Sequence, residues 1–220
     1  MQPATDGPSP VAKKPTQRGV LHQWAFFVSL ACGVALLFTA NGARAIVAAA
    51  IFAVSVSALL GVSALYHRGD WTHSVRMKLR RLDHTMIFFL IAGTYTPFAL
   101  LVLNGTFSTV LLCTVWAVAI AGSIMELALA DASKWIMAGI GIGLGWVSIV
   151  AIPRIFGEIG AVATAMLALG GIAYTAGAII YAMHRPNPVP GVFGYHEVFH
   201  LLVVIAIALQ YSVIAFYVVS

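Results

Sequence analysis

Long apolar segments recur along this chain, and they constrain its fold more than any other feature. Seven of them follow one another, separated by polar connections, at about residues 24–39, 46–66, 82–103, 107–129, 135–152, 161–183 and 196–219. A helix of about 20 apolar residues crosses roughly 30 Å of hydrocarbon and satisfies its own backbone hydrogen bonds there. The sequence therefore predicts an all-α integral membrane protein, a bundle of seven transmembrane helices.

The composition excludes an ordinary soluble protein. Of the 220 residues, 61% are hydrophobic and 9% are charged, whereas charged residues make up about 25% of a typical soluble domain. One core in a soluble protein of this length could not bury so much apolar surface. The Lys and Arg residues lie mostly in the connections and form no tract on a polar domain. We therefore expect a membrane protein with no nucleic-acid partner.

The basic residues also predict the orientation of the chain. Residues 1–20 contain four prolines and no apolar run, which predicts a flexible cytoplasmic tail ahead of a membrane domain over residues 21–220. With the N-terminus inside, the cytoplasmic side receives ten basic residues: Lys13, Lys14, Arg18, Arg68, Arg76, Lys78, Arg80, Arg81, Lys134 and Arg185. The other side receives Arg44 and Arg154. This bias predicts a plasma-membrane protein with a cytoplasmic N-terminus and an external C-terminus.

Ionisable side chains gather at the cytoplasmic ends of three predicted helices. His67 closes the second span, Asp83 opens the third, and His196, Glu197 and His200 open the seventh. His196 and His200 are four residues apart and so share one helix face. Buried imidazoles and carboxylates are costly in a membrane unless they have partners. The pattern favours a metal site with His67, His196 and His200 as ligands.

Zinc is the ion that these donors indicate. Three neutral imidazoles are a common catalytic zinc set, with one position left for water or substrate. Zinc lowers the pKa of such a water towards neutrality, and Asp83 is the candidate general base that would hold the water or accept its proton. Ser63, four residues before His67, could place its hydroxyl near the water or a substrate carbonyl. A packing role, with that hydroxyl bonded to a backbone carbonyl, fits Ser63 equally well.

A different interpretation starts from the H-E-x-x-H pattern at His196, Glu197 and His200. In zinc proteases with this pattern the glutamate is the general base. The chain would then be an intramembrane metalloprotease with His67 or Asp83 as the third ligand. Glu197 also fits a first-turn carboxylate that stabilises the start of its helix.

Several of these residues have purely structural interpretations. Alone, His67 would be an interfacial histidine at a helix end. Asp83 would be a helix cap paired with Arg80 or Arg81. His84 is about 100° around the helix from Asp83 and is expected to be interfacial.

Glycines are frequent in the fifth and sixth segments. They are Gly139, Gly141, Gly143 and Gly145 in the fifth, and Gly170, Gly171 and Gly177 in the sixth. Small residues let transmembrane helices approach closely, so we expect tight helix packing at these positions.

Four stretches of the chain resemble a known family. They are Ser63-Ala64-Leu65-Tyr66-His67, Arg81-Leu82-Asp83-His84, Ala92-Gly93-Thr94-Tyr95-Thr96-Pro97 and Tyr195-His196-Glu197-Val198-Phe199-His200. These motifs resemble the hemolysin III family, bacterial relatives of the adiponectin and progestin receptors within the larger group that includes the alkaline ceramidases. The resemblance covers nearly all of the chain after the tail.

The resemblance implies a seven-helix bundle with its N-terminus inside and a zinc ion near the cytoplasmic leaflet. The family's three histidine ligands fall on His67, His196 and His200. Its water-holding aspartate falls on Asp83 and its serine on Ser63. In the receptor relatives the residue matching Glu197 is not acidic, which argues against the protease interpretation.

These observations lead to a zinc-dependent hydrolase that acts on an amide or ester of a membrane lipid, with a ceramide-like molecule as one candidate. A second hypothesis is a non-enzymatic membrane sensor or regulator in which zinc ties the second, third and seventh helices together. A third is a cytolytic pore. The ionisable residues cluster at one leaflet and line no path across the membrane, so the pore has the least support.

Overall fold

The computed structural model describes residues 15–128 and 134–219, and helices dominate them. Seven α-helices follow one another: α1 Val20–Thr39, α2 Ala43–Arg68, α3 His73–Pro97, α4 Gly105–Ala128, α5 Lys134–Trp146, α6 Ile152–Met183 and α7 Tyr195–Val213. The described residues contain no β-strand, so the all-α prediction is confirmed. Lys13 and Lys14, with most of the predicted tail, lie outside the described residues.

Six of the helices in the described ranges are long and apolar enough to cross a bilayer, and α5 is shorter. A 3₁₀ turn, Val147–Val150, extends α5, and together the two are about 27 Å long by the usual rises of these helix types. The Arg154 guanidinium lies 4.0 Å from the centroid of the Phe107 ring. This contact puts the start of α6 beside the start of α4. Because α5 connects the end of α4 to the start of α6, it runs the length of the bundle.

Two helices begin more than two turns earlier than the apolar segments predicted. α3 begins at His73 and not near residue 82, because polar and basic turns extend the helix ahead of its apolar part. α6 begins at Ile152 and not near residue 161. Gly160, with φ 77° and ψ 179°, interrupts α6 one residue before the predicted start. The apolar segments located the membrane-spanning parts and missed these extensions.

α3 lies at the centre of the bundle. In its apolar stretch 67% of the residues are buried, compared with 17% in α1. Phe88 and Leu90 of α3 pack in one core with Phe52 and Leu60 of α2. Large apolar side chains such as Phe38 remain exposed on the outer surface, as expected where helices face lipid. The molecule is a multi-pass protein of the plasma membrane.

The glycines of α5 and α6 have different surroundings. A Cβ added at Gly177 would lie 3.2 Å from the Phe199 ring, so α6 and α7 approach closely there. Cβ atoms added at the four glycines of α5 would meet nothing within 4 Å. Tight packing was therefore the wrong expectation for α5. Two of its glycines, Gly141 and Gly145, instead line an internal cavity.

Candidate metal centre

Three histidines from two helices meet at one end of the bundle. His67 lies in the last turn of α2, and His196 and His200 lie in the first two turns of α7. All three side chains are buried, and one ring nitrogen of each lies within 4.8 Å of the others. Nε2 of His67 and Nε2 of His196 are 3.0 Å apart. We call these three residues the histidine cluster.

Neighbouring helices enclose the histidine cluster on two sides. Gly19, just before α1, has a φ of 78°, a region that favours glycine. A Cβ at Gly19 would lie 2.6 Å from the Cβ of His67, so a residue without a side chain lets the chain pass here. On the other side, the Tyr181 ring near the end of α6 lies 5.4 Å from the His196 ring. The cluster is thus closed by α1 and α6.

Asp83 and Ser63 lie beside the histidine cluster. Oδ2 of Asp83 is 3.8 Å from Nε2 of His67, the same nitrogen that faces His196. Ser63 is buried one turn before His67, and Ser63 and Asp83 line the same cavity between the helices. Asp83 is not a helix cap, because α3 begins ten residues earlier, at His73. The structure therefore brings both side chains to the cluster.

Sequence reasoning missed a fourth buried histidine, His22 of α1. The His22 ring stacks on the His200 ring, with 3.7 Å between centroids and 7° between planes. His22 precedes the apolar run that was taken as the first span, so it was not considered among the membrane residues. α1 begins at Val20, ahead of that apolar run, so His22 lies in its first turn.

His84 has a more specific environment than the interfacial position expected for it. Its Nδ1 lies 2.8 Å from Oε1 of Glu126, a buried carboxylate of α4. Like Asp83, His84 also lines two cavities between the helices. An acidic residue near the end of an apolar segment was the signal in the sequence, since such a group needs a partner in the membrane.

Glu197 is held by structural partners. Its Oε2 accepts a hydrogen bond of 2.8 Å from the backbone N–H of Gly194, which caps the start of α7. Its Oε1 lies 2.6 Å from Nε of Arg18. Two residues before Arg18, the backbone N–H of Thr16 donates to the carbonyl of Gly191, in the connection before α7. The cap agrees with the first-turn interpretation of Glu197, and the contact with Arg18 also ties α7 to the segment before α1.

The histidine cluster lies between two internal spaces. The larger, which we call the apolar cavity, has a volume of about 460 Å³ and is lined mainly by apolar side chains between the helices, with His200, Ser63 and Asp83 at one end. The smaller, which we call the vestibule, has a volume of about 200 Å³ and is lined by arginine, aspartate, histidine and tyrosine side chains. Its lining includes Arg18, Arg76, Arg80, Tyr181, Tyr195 and His67. Asp83, His196 and Arg80 line both spaces.

The donors fit a zinc ion. Tetrahedral coordination with Zn–N bonds of about 2.0–2.1 Å places the ligand nitrogens about 3.4 Å apart. The 3.0 Å between Nε2 of His67 and Nε2 of His196, and the 4.8 Å limit for the whole cluster, bracket that value. A neutral imidazole offers one lone pair to a cation, and three such donors match a common zinc set.

Comparisons with known proteins cover most of the chain. The model of a family described as Haemolysin-III related matches residues 11–211. A protein of Bacillus subtilis (strain 168) named Hemolysin-3 homolog is 32% identical over 188 residues, 84% of each chain. The Hemolysin-3 of Bacillus cereus is 31% identical over 211 residues, 94% of this chain and 92% of that protein. The family match includes the whole histidine cluster, Asp83 and Ser63.

Proposed function

The chain belongs to the Haemolysin-III related family, and from that premise we propose that it is a zinc-dependent hydrolase for an amide or ester bond of a membrane lipid. The observation that carries the proposal is the position of the histidine cluster between an apolar cavity and a polar vestibule. The bond between an acyl chain and a polar head would lie at this boundary. A ceramide-like lipid is one candidate substrate.

His67, His196 and His200 are the residues that would hold zinc. A zinc ion bound there would polarise the lipid carbonyl and make a water more acidic. The burial of all three imidazoles keeps competing water away from the donors. The stacked ring of His22 fixes the plane of His200, and such support from outside the ligand set orients metal ligands.

Asp83 would accept the proton of the attacking water and pass it to the leaving group. Its carboxylate, 3.8 Å from His67 and on the lining of both spaces, can hold a water at their boundary and accept its proton. The water oxygen adds to the carbonyl carbon, and the C–N or C–O bond then breaks. Asp83 returns the proton to the departing amine or alcohol, and the acyl chain becomes a carboxylic acid. Ser63, on the lining of the same cavity, would place its hydroxyl near the water or the lipid carbonyl.

The apolar cavity would hold the acyl chain. Its volume of about 460 Å³ lies within the range of roughly 300–1,000 Å³ that is usual for small-molecule sites. The charge bias of the connections supports a cytoplasmic N-terminus and an external C-terminus. In that orientation the histidine cluster lies in the cytoplasmic half of the membrane, and the substrate would enter from that leaflet.

The test compares Asp83→Asn with the unchanged protein in detergent, after zinc analysis of both. We expect the variant to retain zinc and to lose at least about 10²-fold in hydrolysis of lipid amides or esters. Asp70→Asn is the matched control, because Asp70 is exposed in the connection after α2. A zinc-loaded unchanged protein that cleaves no lipid amide or ester in a broad screen would overturn the proposal.

A second candidate is a sensor or regulator with structural zinc. The observation in its favour is that the three donors join α2 to α7, so that metal binding would stabilise the bundle. In that case Asp83→Asn would change neither zinc content nor any cellular readout. The relatives' name suggests cytolysis as a further candidate, which predicts leakage from liposomes containing the purified protein.

A further inference from the structure

We propose that the vestibule binds the anionic head group of a lipid whose acyl chain occupies the apolar cavity. The groups that would bind it are the guanidinium groups of Arg18, Arg76 and Arg80, all of which line the vestibule. The inference deepens the proposed function, because it narrows the substrate from any membrane lipid to one with a compact oxyanion, a phosphate or a carboxylate.

Positive charge in the vestibule exceeds the negative charge that faces it. Glu197 is 2.6 Å from Arg18 and offsets that guanidinium. Asp83 lies beside His67. Within the described ranges, neither Arg76 nor Arg80 forms an ion pair with a carboxylate.

Among the residues that the structure describes, Arg76 and Arg80 also have few other partners. Arg76 lies over the ring of Tyr66, with 5.6 Å from its guanidinium carbon to the ring centroid. Nε of Arg80 is buried without a hydrogen-bond partner among the described residues. A buried donor left unpaired costs free energy, and an arriving acceptor recovers it. The excess positive charge and the unpaired donor of the vestibule therefore both favour binding of an anion.

The chemistry of the lining selects an oxyanion. A guanidinium group presents paired N–H donors that match the oxygens of a phosphate or carboxylate. The rings of Tyr181 and Tyr195 also line the vestibule, and their hydroxyls can donate to the same oxygens. A volume of about 200 Å³ suits a compact group.

Arg80 links the head group to the chain. It lines both the vestibule and the apolar cavity, as Asp83 and His196 do. A lipid with its oxyanion on Arg80 would extend its acyl chain past the histidine cluster into the apolar cavity. A free anion would use the vestibule alone and gain nothing from the cavity. The lining residues that the two spaces share favour the lipid as the source of the oxyanion.

The experiment compares two ether lipids that differ by one phosphate. 1-Hexadecylglycerol 3-phosphate and 1-hexadecylglycerol share the same chain, and neither contains a carboxylic ester or an amide. Equilibrium binding to the zinc-loaded full chain in neutral detergent should be at least tenfold tighter for the phosphate. Arg80→Gln should remove most of that preference, and Arg76→Gln should reduce it. Lys78→Gln, an exposed position on the same helix, should leave it unchanged.

Three results would overturn the inference. The two ether lipids could bind equally well. The preference could persist in both Arg80→Gln and Arg76→Gln, with zinc content and elution volume confirming that each variant is folded. Inorganic phosphate could bind as tightly as the phosphorylated lipid, which would make the vestibule a site for free anions. The ether lipids offer no acyl bond to the proposed hydrolase, so these outcomes are independent of that hydrolysis. A preserved preference without any hydrolysis would reject the proposed function alone.

Discussion

His22 of α1 and His200 of α7 stack face to face, with ring centroids 3.7 Å apart and planes 7° from parallel. Both side chains are buried, and His200 is one of the three histidines whose nitrogens converge. The contact brings the first helix to a site that otherwise uses α2, α3 and α7. It also restrains the ring of His200, and the orientation of a metal ligand depends on such neighbours.

Removing the His22 ring should weaken metal binding. We expect His22→Ala to lower zinc affinity by about 10–100-fold, the usual cost of losing a group that supports a ligand. His22→Phe keeps a flat ring against His200 and should retain more of the affinity. Competition with a chelator of known affinity measures the difference. Equal zinc affinity in His22→Ala and the unchanged protein would show that the stacking does not support the site.

Each histidine of the cluster should be required for zinc. His67→Ala, His196→Ala and His200→Ala should each lose stoichiometric metal, because a set of three donors cannot hold zinc tightly after losing one. Zinc at about 100 times its dissociation constant stabilises a folded protein by about 2.7 kcal/mol. Added zinc should therefore raise the unfolding temperature of the unchanged protein and not of these variants.

His73→Ala is the matched control for these substitutions, because His73 is an exposed histidine at the start of α3. It should keep full zinc content and the zinc-dependent rise in unfolding temperature. Stoichiometric zinc in all three cluster variants would reject the assignment of the ligands.

The sequence predicted the parts of the site that follow from helix periodicity and topology. The spacing of His196 and His200 puts both on one helix face, and alternating spans bring His67 and Asp83 to the same end of the bundle. These relations depend on regular helices, which the apolar segments predict well.

Contacts made by helix ends and connections could not be predicted in this way. Arg18 precedes the first apolar segment, and its position against Glu197 depends on how the residues before α1 pack on the connection before α7. The pairing of His84 with Glu126 depends on which face of α4 meets α3. Periodicity places a residue on a face of its own helix, and it does not say which helix that face meets.

Replacing Glu197 should lower the free energy of unfolding and leave the rate of hydrolysis per folded molecule nearly unchanged. Glu197→Gln keeps an acceptor for the Gly194 N–H and removes the charge opposite Arg18. A lost hydrogen bond to a charged group costs about 1.5–3 kcal/mol, and we expect the free energy of unfolding to fall by that amount. Reversible unfolding in mixed detergent micelles measures it. Zinc content and hydrolysis per folded molecule should stay within a few-fold of the unchanged protein.

The same variant tests the metalloprotease interpretation. A general base contributes about 10²–10⁴-fold to a reaction, so a loss of activity of that size in Glu197→Gln, without loss of stability or zinc, would restore Glu197 as the base. Glu158→Gln, at an exposed position in α6, is the control for removing one carboxylate from the chain.

The lack of a side chain at Gly141 of α5 should help to set the length of acyl chain that the protein accepts. Gly141 lines the apolar cavity, and a Cβ added there would meet no atom within 4 Å, so a larger residue fits the helix and projects into open space. We expect Gly141→Leu to fill part of the cavity and to weaken binding of 16-carbon lipids by about tenfold while 8-carbon lipids bind as before. Gly139→Leu is the matched control, because Gly139 has equally open surroundings and does not line the cavity. Equal losses for both chain lengths, or for both variants, would mean that the acyl chain lies elsewhere.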